Sequence, residues 1–239
     1  FTTGSLDSKI TFTRTGNTAT VINNSGNVAL VNADLPRFDY DPTTLVCKGL
    51  LIEESRTNSI RNNTMGGVVA GTPGTNPNFW GYLVVGGGLT KTIVGTGNEN
   101  GITYIDVKVS GTSSATFAIA VAFEGSASIA ALTGQNWALS AYLKLVAGSL
   151  SGVQLQLGII EFTLGGVYVA GNNYPITTPT SANLITQRQT VTRTLSGGAT
   201  VAAVQPTLNS TCSIGVAIDF TLRIGMPQME QGAFSTRDR

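Results

Sequence analysis

An alternation of large apolar residues with small or polar ones, near the end of the chain, restricts its fold more than any other feature. The apolar residues fall at every second position: Ile214, Val216, Ile218, Phe220, Leu222 and Ile224. Because successive side chains of a β-strand point to opposite faces, this spacing predicts an eleven-residue strand and excludes a helix. The same period recurs over residues 117–123, 139–145 and 153–159.

Weaker runs at residues 79–85, 102–109, 166–170, 188–195 and 200–204 raise the expected number of strands to nine or ten. With 239 residues, 41% of them apolar and 11% charged, the chain has enough apolar material for one principal core. The glycines at 86–88 and 95–97 are interpreted as turns. The sequence therefore predicts an all-β fold, an antiparallel β-sandwich of jelly-roll type with less than about a tenth of its residues in helices.

The first quarter of the chain differs from the rest in its charge. Residues 1–61 hold six of the 13 acidic and six of the 14 basic residues. Two short apolar runs, 19–22 and 28–31, flank an Asn- and Gly-rich turn and predict a β-hairpin. Residues 62–78 are rich in Gly, Asn, Thr and Pro, the composition of a connector. We expect an N-terminal arm at 1–61, a connector at 62–78 and the jelly-roll sandwich at 79–239.

Several classes of function are excluded by composition. The net charge of +1, without a basic run, gives no footprint for nucleic acid or an anionic membrane, and no apolar stretch is long enough for membrane insertion. The absence of histidine excludes Ser-His-Asp and Cys-His nucleophiles and His-ligated metals. Glu53 and Glu54 project to opposite sides of an extended chain and cannot flank a glycosidic bond. We expect no enzyme activity, cofactor or metal, and a reduced, buried pair for Cys47 and Cys212.

Charged residues of the arm concentrate in two places, between Pro36 and Pro42 and around the pair Glu53-Glu54. These are Arg37, Asp39, Asp41, Glu53, Glu54 and Arg56. Carboxylates near arginines form charge-assisted hydrogen bonds, and around a loop without strand pairing they would orient chain segments. This block is interpreted as a structural linker.

A candidate sugar-binding face comes from the non-apolar side of the strongest strands. Its residues are Tyr142, Lys144, Gln154, Gln156, Asp219 and Arg223. Glycans bind to aromatic rings, amides and charges on shallow surfaces, so these side chains are predicted to bind carbohydrate if their strands are neighbours. The alternative is an ordinary solvated or subunit-facing sheet. Trp80 and Trp137 begin strands and are expected in the core.

Two segments resemble tailed-bacteriophage virion proteins. Residues 36–42 (PRFDYDP) with 48–58 (KGLLIEESRTN) are similar to a linker block before jelly-roll modules of tail-fibre and head-spike proteins. Residues 224–236 (IGMPQMEQGAFST) resemble the last strand of the carbohydrate-binding-module-like jelly rolls in such proteins. The resemblance implies a structural or adhesion subunit on the virion surface, a tail fibre, head spike or capsid decoration protein, which contacts other virion proteins and host surface glycans.

Two other functions stay open: a dedicated carbohydrate-binding receptor module and a polysaccharide-degrading tailspike. We also expect a homotrimer, because the arm has few long apolar runs and needs a partner surface to be ordered. Ala118, Ala120 and Ala122 on one strand, with Gly215 and Ala217 on another, would form a flat surface that a second subunit can approach closely. The resemblance to phage fibres favours three subunits.

Overall fold

The alternating segments pair into antiparallel sheets in the computed structural model, which describes residues 4–14 and 19–236. The strands in these residues are β1 Ala19–Ile22, β2 Val28–Val31, β3 Phe38–Tyr40, β4 Cys47–Leu50, β5 Tyr82–Val85, β6 Leu89–Glu99, β7 Ile102–Thr112, β8 Ile119–Ala122, β9 Ile129–Ala130, β10 Asn136–Ser149, β11 Val153–Phe162, β12 Tyr168–Pro175, β13 Arg188–Thr194, β14 Ala203–Cys212 and β15 Ala217–Gln231. The helical content of these residues is one 3-10 turn, Leu184–Thr186. The predicted all-β class is confirmed. The terminal 237–239 segment and its charges lie outside the described residues.

Two sheets form the sandwich. The five-stranded sheet has the order β13-β10-β15-β7-β6, and the six-stranded sheet has the order β12-β11-β14-β8-β5 with β9 beside β14. Every strand pairing is antiparallel. β10 and β11 follow one another directly in the chain yet belong to opposite sheets, so their outward side chains point away from each other.

The core lies between the sheets and contains the residues that the period-two pattern predicted. Phe220, Leu222 and Ile224 are fully buried and Ile218 is 4% exposed. Trp80 and Trp137 also join this core, as predicted. Burying such side chains contributes roughly 1.5–3 kcal/mol each, so the alternation accounts for most of the driving force for folding.

The structure corrects three strand predictions. β15 begins at Ala217, and Ile214 is 65% exposed in the preceding turn. Gly95 and Gly97 lie inside β6 rather than in a turn. A Cβ on Gly97 would meet the Tyr104 hydroxyl at 2.5 Å, so glycine at this position lets the ring cross the strand. In place of the short strand predicted at residues 200–204, the structure has the ten-residue strand β14. The polar side chains that β14 presents outward interrupt the apolar pattern of the sequence.

The predicted hairpin in the arm is confirmed, with Ala19 opposite Val31 and Ile22 opposite Val28. It packs on the sandwich of its own chain: the Val28 amide donates to the Asn100 carbonyl at 2.8 Å, and Ile22 is 3% exposed. The arm therefore buries some of its apolar residues on its own sandwich, whereas Leu30, Val46 and Ile52 stay exposed, and its need for a second subunit stays a prediction. The 1–61, 62–78 and 79–239 division stays a prediction.

Three smaller expectations also need correction. The charged block does not lack strand pairing, because β3 and β4 form a second hairpin. Ala118 and Ala122 are fully buried, so they cannot form a subunit-facing surface; the Gly81 backbone covers Ala122 and donates to its carbonyl at 2.9 Å. Cys47 and Cys212 are not joined in a disulfide, and each is half-buried rather than enclosed.

Candidate ligand-binding face

The six residues predicted to bind sugar do not share a surface. Tyr142 and Lys144 lie on β10 and Asp219 and Arg223 on β15, in the five-stranded sheet, whereas Gln154 and Gln156 lie on β11, in the six-stranded sheet. The prediction of one face from these residues is wrong, because the core separates the two groups. The two outer faces are therefore described in turn.

Tyr142 is buried beneath the arm. It is 1% exposed and packs with Ile22, Ile102, Leu184 and Ile185 in a second apolar cluster on the outer side of the five-stranded sheet. A ring enclosed in this way cannot stack on a sugar, so Tyr142 is a packing residue.

Lys144 and Arg223 belong to an ion-pair network on the same side. Lys144 Nζ lies 2.9 Å from a Glu99 oxygen, and Arg223 makes two 2.8 Å hydrogen bonds to Asp106. Arg223 also contacts Glu99 and lies 3.4 Å from the centroid of the Tyr104 ring. Burial raises the pKa of Glu99, but hydrogen bonds from the Leu184 amide, Lys144 and Arg223 outweigh it and lower that pKa below its ordinary value. These charges join strands β6, β7, β10 and β15 to one another.

The C-terminal segment covers the other end of this face. The amide and hydroxyl of Thr236 both donate to the carboxylate of Glu230, which is fully buried. Arg188 donates to the Thr236 carbonyl at 2.7 Å and to Gln228 at 3.1 Å. At the exposed margin, Asp219 pairs with Lys108 at 3.4 Å. The outer face of the five-stranded sheet is thus largely an internal interface.

The outer face of the six-stranded sheet has the opposite character. Its strands, all within the described residues, contain a single charged residue, Glu161. Glu161 is fully buried on the inner side, where the Arg193 guanidinium and the amides of Ser196 and Gly197 bind it. The outward positions of this sheet are therefore uncharged.

Amide and hydroxyl groups occupy the middle of this face. The Asn209 amide donates to Asn173 Oδ1 at 2.8 Å and to Thr207 Oγ1 at 2.9 Å, across β14 and β12. Gly158 on the intervening strand β11 makes this possible, because a Cβ there would lie 2.2 Å from Asn173 Oδ1 and 2.3 Å from Thr207 Oγ1. Gln156 lies directly opposite Asn209 in the sheet and extends the amide strip. We call Gln156, Asn173, Thr207 and Asn209 the amide strip.

Aromatic rings stand on both sides of the amide strip. Tyr82 on β5 is 36% exposed, and burial raises its pKa, so its hydroxyl stays protonated at neutral pH. On the opposite side Tyr168, 62% exposed, meets Phe162 edge to face at 6.3 Å. Five strands at a spacing of about 4.8 Å separate the two sides by roughly 19 Å. Sequence analysis missed Asn173, Thr207 and Asn209 because it predicted only residues 166–170 near β12 and 200–204 near β14, and because charge was taken as the marker of a binding face.

Gln154 lies at the margin of this face. Its side-chain amide donates to the carbonyls of Leu155 and Ile176, at 2.9 and 3.1 Å. Of the six residues predicted to bind sugar, Gln156 alone lies within the amide strip.

The charged block of the arm orients chain segments. Arg37 donates to Glu53 at 2.9 Å and to the Thr20 carbonyl at 3.1 Å, and Asp39 accepts from the Ile22 amide at 3.3 Å. These contacts hold β1 against β3.

The remaining residues of the block act separately from one another. Asp41 accepts hydrogen bonds from the amides of Thr44 and Thr43, which with Lys48 lower its pKa from 3.8 to about 2. Arg56 pairs with Glu54 at 2.7 Å and stacks on Phe234 at 4.1 Å from the ring centroid. The block therefore does not assemble into one site.

Two further features are absent from residues 4–14 and 19–236. No group of three or more His, Cys, Asp or Glu there is arranged to hold a metal ion. No helix in the same residues is long and apolar enough to cross a membrane.

The chain is similar to several solved structures. One is a CBM4 structure, with a TM-score of 0.44 and 15% identity over 72% of this chain and 99% of that chain. Another is the CBM22-1 xylan-binding domain from Paenibacillus barcinonensis, with a TM-score of 0.38 and 11% identity over 77% of this chain and 100% of that chain. A Stig cyclase from Fischerella sp. TAU has a TM-score of 0.43 and 9% identity over 76% and 100%. No protein-family model and no curated protein matches the chain. Its own strand pairing establishes an all-β antiparallel sandwich.

Proposed function

We propose that the chain is a non-catalytic carbohydrate-binding protein that binds glycan on the outer face of the six-stranded sheet. One observation carries the proposal: an uncharged strip of amides and hydroxyls lies between exposed aromatic side chains. A sugar ring has an apolar C–H face and a rim of hydroxyls that both donate and accept hydrogen bonds. Aromatic rings match the first, and amides match the second because each also donates and accepts.

The amide strip is ordered before any ligand arrives. Asn209 is held by one hydrogen bond to Asn173 of β12 and one to Thr207 of its own strand, so binding would cost little side-chain entropy. The five-stranded sheet offers no comparable surface, since the arm and the C-terminal segment cover much of it. These two facts favour the six-stranded sheet as the binding face.

The virion location, the partner virion proteins and the homotrimer remain predictions from the sequence resemblance. Within that setting the same face would contact host surface glycans, and the protein would act in adhesion. The described strands of this face carry no outward carboxylate, so we do not propose the polysaccharide-degrading alternative.

Glycan-array binding followed by titration calorimetry tests the proposal. Tyr82→Ala and Asn209→Ala should each lower the affinity for the best-bound glycan on the order of tenfold, since one ring contact or hydrogen bond contributes about 1 kcal/mol. Lys108→Ala, on the other sheet, is the matched control and should leave the affinity unchanged. Unchanged binding in both face variants, or equal loss in the control, would show that this face is not the site.

A further inference from the structure

A cleft of about 880 Å³ lies at one end of the sandwich, away from the six-stranded face. It is formed by residues 55–59 of the arm, the segment 132–137 that leads into β10, and Gln231 with Gly232 at the end of β15. None of these segments belongs to a strand of the six-stranded sheet. Its volume is in the range of pockets that enclose small ligands, about 300–1,000 Å³.

The walls of the cleft are fixed by hydrogen bonds. Asn58 donates to the Pro227 carbonyl at 3.1 Å and accepts from the Met229 amide at 2.9 Å, and the Ser59 amide donates to Met229 at 2.8 Å. On the other side the Gly232 amide donates to the Asn136 carbonyl at 2.7 Å. The cleft is therefore part of the folded framework and not a gap between loose loops.

Neutral polar side chains line the cleft: Ser55, Thr57, Thr133, Gln135, Asn136 and Gln231. Its guanidinium, Arg56, is neutralised by Glu54, to which its Nε and Nη2 donate at 3.1 and 2.7 Å. At the floor the indole of Trp137, 3% exposed, donates to Gln135 Oε1 at 3.3 Å. A lining of hydroxyls and amides with a compensated charge fits an uncharged ligand with many hydroxyl groups.

The polar surface continues past Asn136. A second hollow of about 340 Å³ shares that residue and is lined by Tyr174, Thr192 and Thr194 of β12 and β13. Its arginine, Arg193, is again paired, with Glu161. An elongated ligand that filled the cleft would therefore meet further hydroxyls and an aromatic ring rather than a free charge.

We propose that this end cleft is a second binding site, separate from the sheet face, for a neutral oligosaccharide. The two sites share no residue, so each would bind independently. A chain with two sites can hold two segments of one polysaccharide, and linked binding raises the overall affinity without any new contact.

Binding stoichiometry tests the proposal. Titration calorimetry of the full chain with a panel of neutral tetrasaccharides of glucose, xylose, mannose or galactose should give two sites for at least one sugar. Thr57→Trp, at an exposed position of the lining, should fill the cleft and reduce two sites to one. Gln231→Ala keeps the space and should weaken the same site on the order of tenfold, as expected for one lost hydrogen bond.

Ser151→Trp is the matched control, because it places the same bulk in the exposed turn at the opposite end of β10 and should keep both sites. Asn209→Ala should weaken the sheet-face site on the order of tenfold and leave the cleft site unchanged. A single site that Thr57→Trp does not change, in a variant with unaltered unfolding temperature, would overturn the cleft proposal alone. A single site that Thr57→Trp removes and Asn209→Ala leaves intact would overturn the sheet-face proposal instead. A protein that binds none of these sugars would contradict both.

Discussion

The two sheets enclose one core, but their outer faces have opposite chemistry. The five-stranded sheet carries Lys144, Arg223 and Asp106 in ion pairs, and the arm and C-terminal segment cover much of it. The six-stranded sheet has no outward charge in its strands and presents Asn173 and Asn209 with exposed aromatic rings beside them. In this protein, charge marks the face that binds the rest of the chain. The uncharged face is the one that we propose binds glycan.

This distribution has a physical reason. A charged side chain on a half-covered sheet is stable only when it pairs with an opposite charge. This pairing holds the chain segment of the partner residue against the sheet. Neutral amides exchange water for sugar hydroxyls at a smaller desolvation cost than a charge does. The following predictions test the contrast, from the largest expected effect to the smallest.

Phe220→Asp should abolish the core that both faces share. The ring is fully buried between the sheets, and an unpaired carboxylate there costs about 5 kcal/mol or more, comparable to the whole stability of a domain. We expect an unfolded protein by circular dichroism and no cooperative melting. A variant with normal thermal unfolding would mean that the assignment of inner and outer faces is reversed.

Arg223→Met should destabilise the covered face strongly. It leaves the buried Asp106 and the half-buried Glu99 without their guanidinium partner, at a cost of about 3 kcal/mol. Lys108→Met removes the exposed pair with Asp219 on the same sheet and should cost less than about 1 kcal/mol. Urea unfolding measures both free energies. Equal effects of the two variants would show that the Arg223 network behaves as an ordinary surface pair.

Gly158→Ala should damage the amide strip with little effect on stability. The added Cβ must displace the ends of Asn173 and Thr207, which are side-chain atoms and can move, so we expect a loss of about 1 kcal/mol in unfolding free energy. Glycan affinity should fall as the strip is disordered. Gly95→Ala on β6 is the control: its Cβ would meet no atom within 4 Å, and stability should stay the same or rise slightly. A Gly158→Ala protein with unchanged glycan affinity would show that the amide strip does not take part in binding.

Protonation of Asp41 at low pH should weaken the β3–β4 hairpin. Its pKa is held at about 2 in the folded chain, below the ordinary 3.8, so its stabilising effect is complete above the ordinary value and is lost as the pH falls toward 2. Amide signals of Thr43 and Thr44, followed by NMR between pH 5 and pH 2, should shift with this pKa. Asp41→Asn should remove most of the pH dependence. A titration midpoint near 3.8 would show that these hydrogen bonds do not form.

The sequence predicted the core well and the binding face poorly. Runs such as Ile218–Ile224 specify which residues are buried, because the period of two is a local property of the strand. The period does not show that β10 and β11 belong to different sheets, so the sequence predicts Lys144 and Gln156 on one face. Only the first residues of β14 were predicted as a strand, because the outward amides and hydroxyls of the rest interrupt the apolar pattern. Two of those side chains, Thr207 and Asn209, belong to the amide strip.

By itself, then, the sequence determined the all-β class, the arm hairpin and the inward side of the long strands. Each of these depends on spacing between neighbours in the chain. Only the tertiary structure decided which outer face is covered, which charges are paired and where the end cleft forms. Those features join residues far apart in sequence, such as Glu99 with Arg223 and Ser59 with Met229, and no local pattern specifies which distant segments will meet.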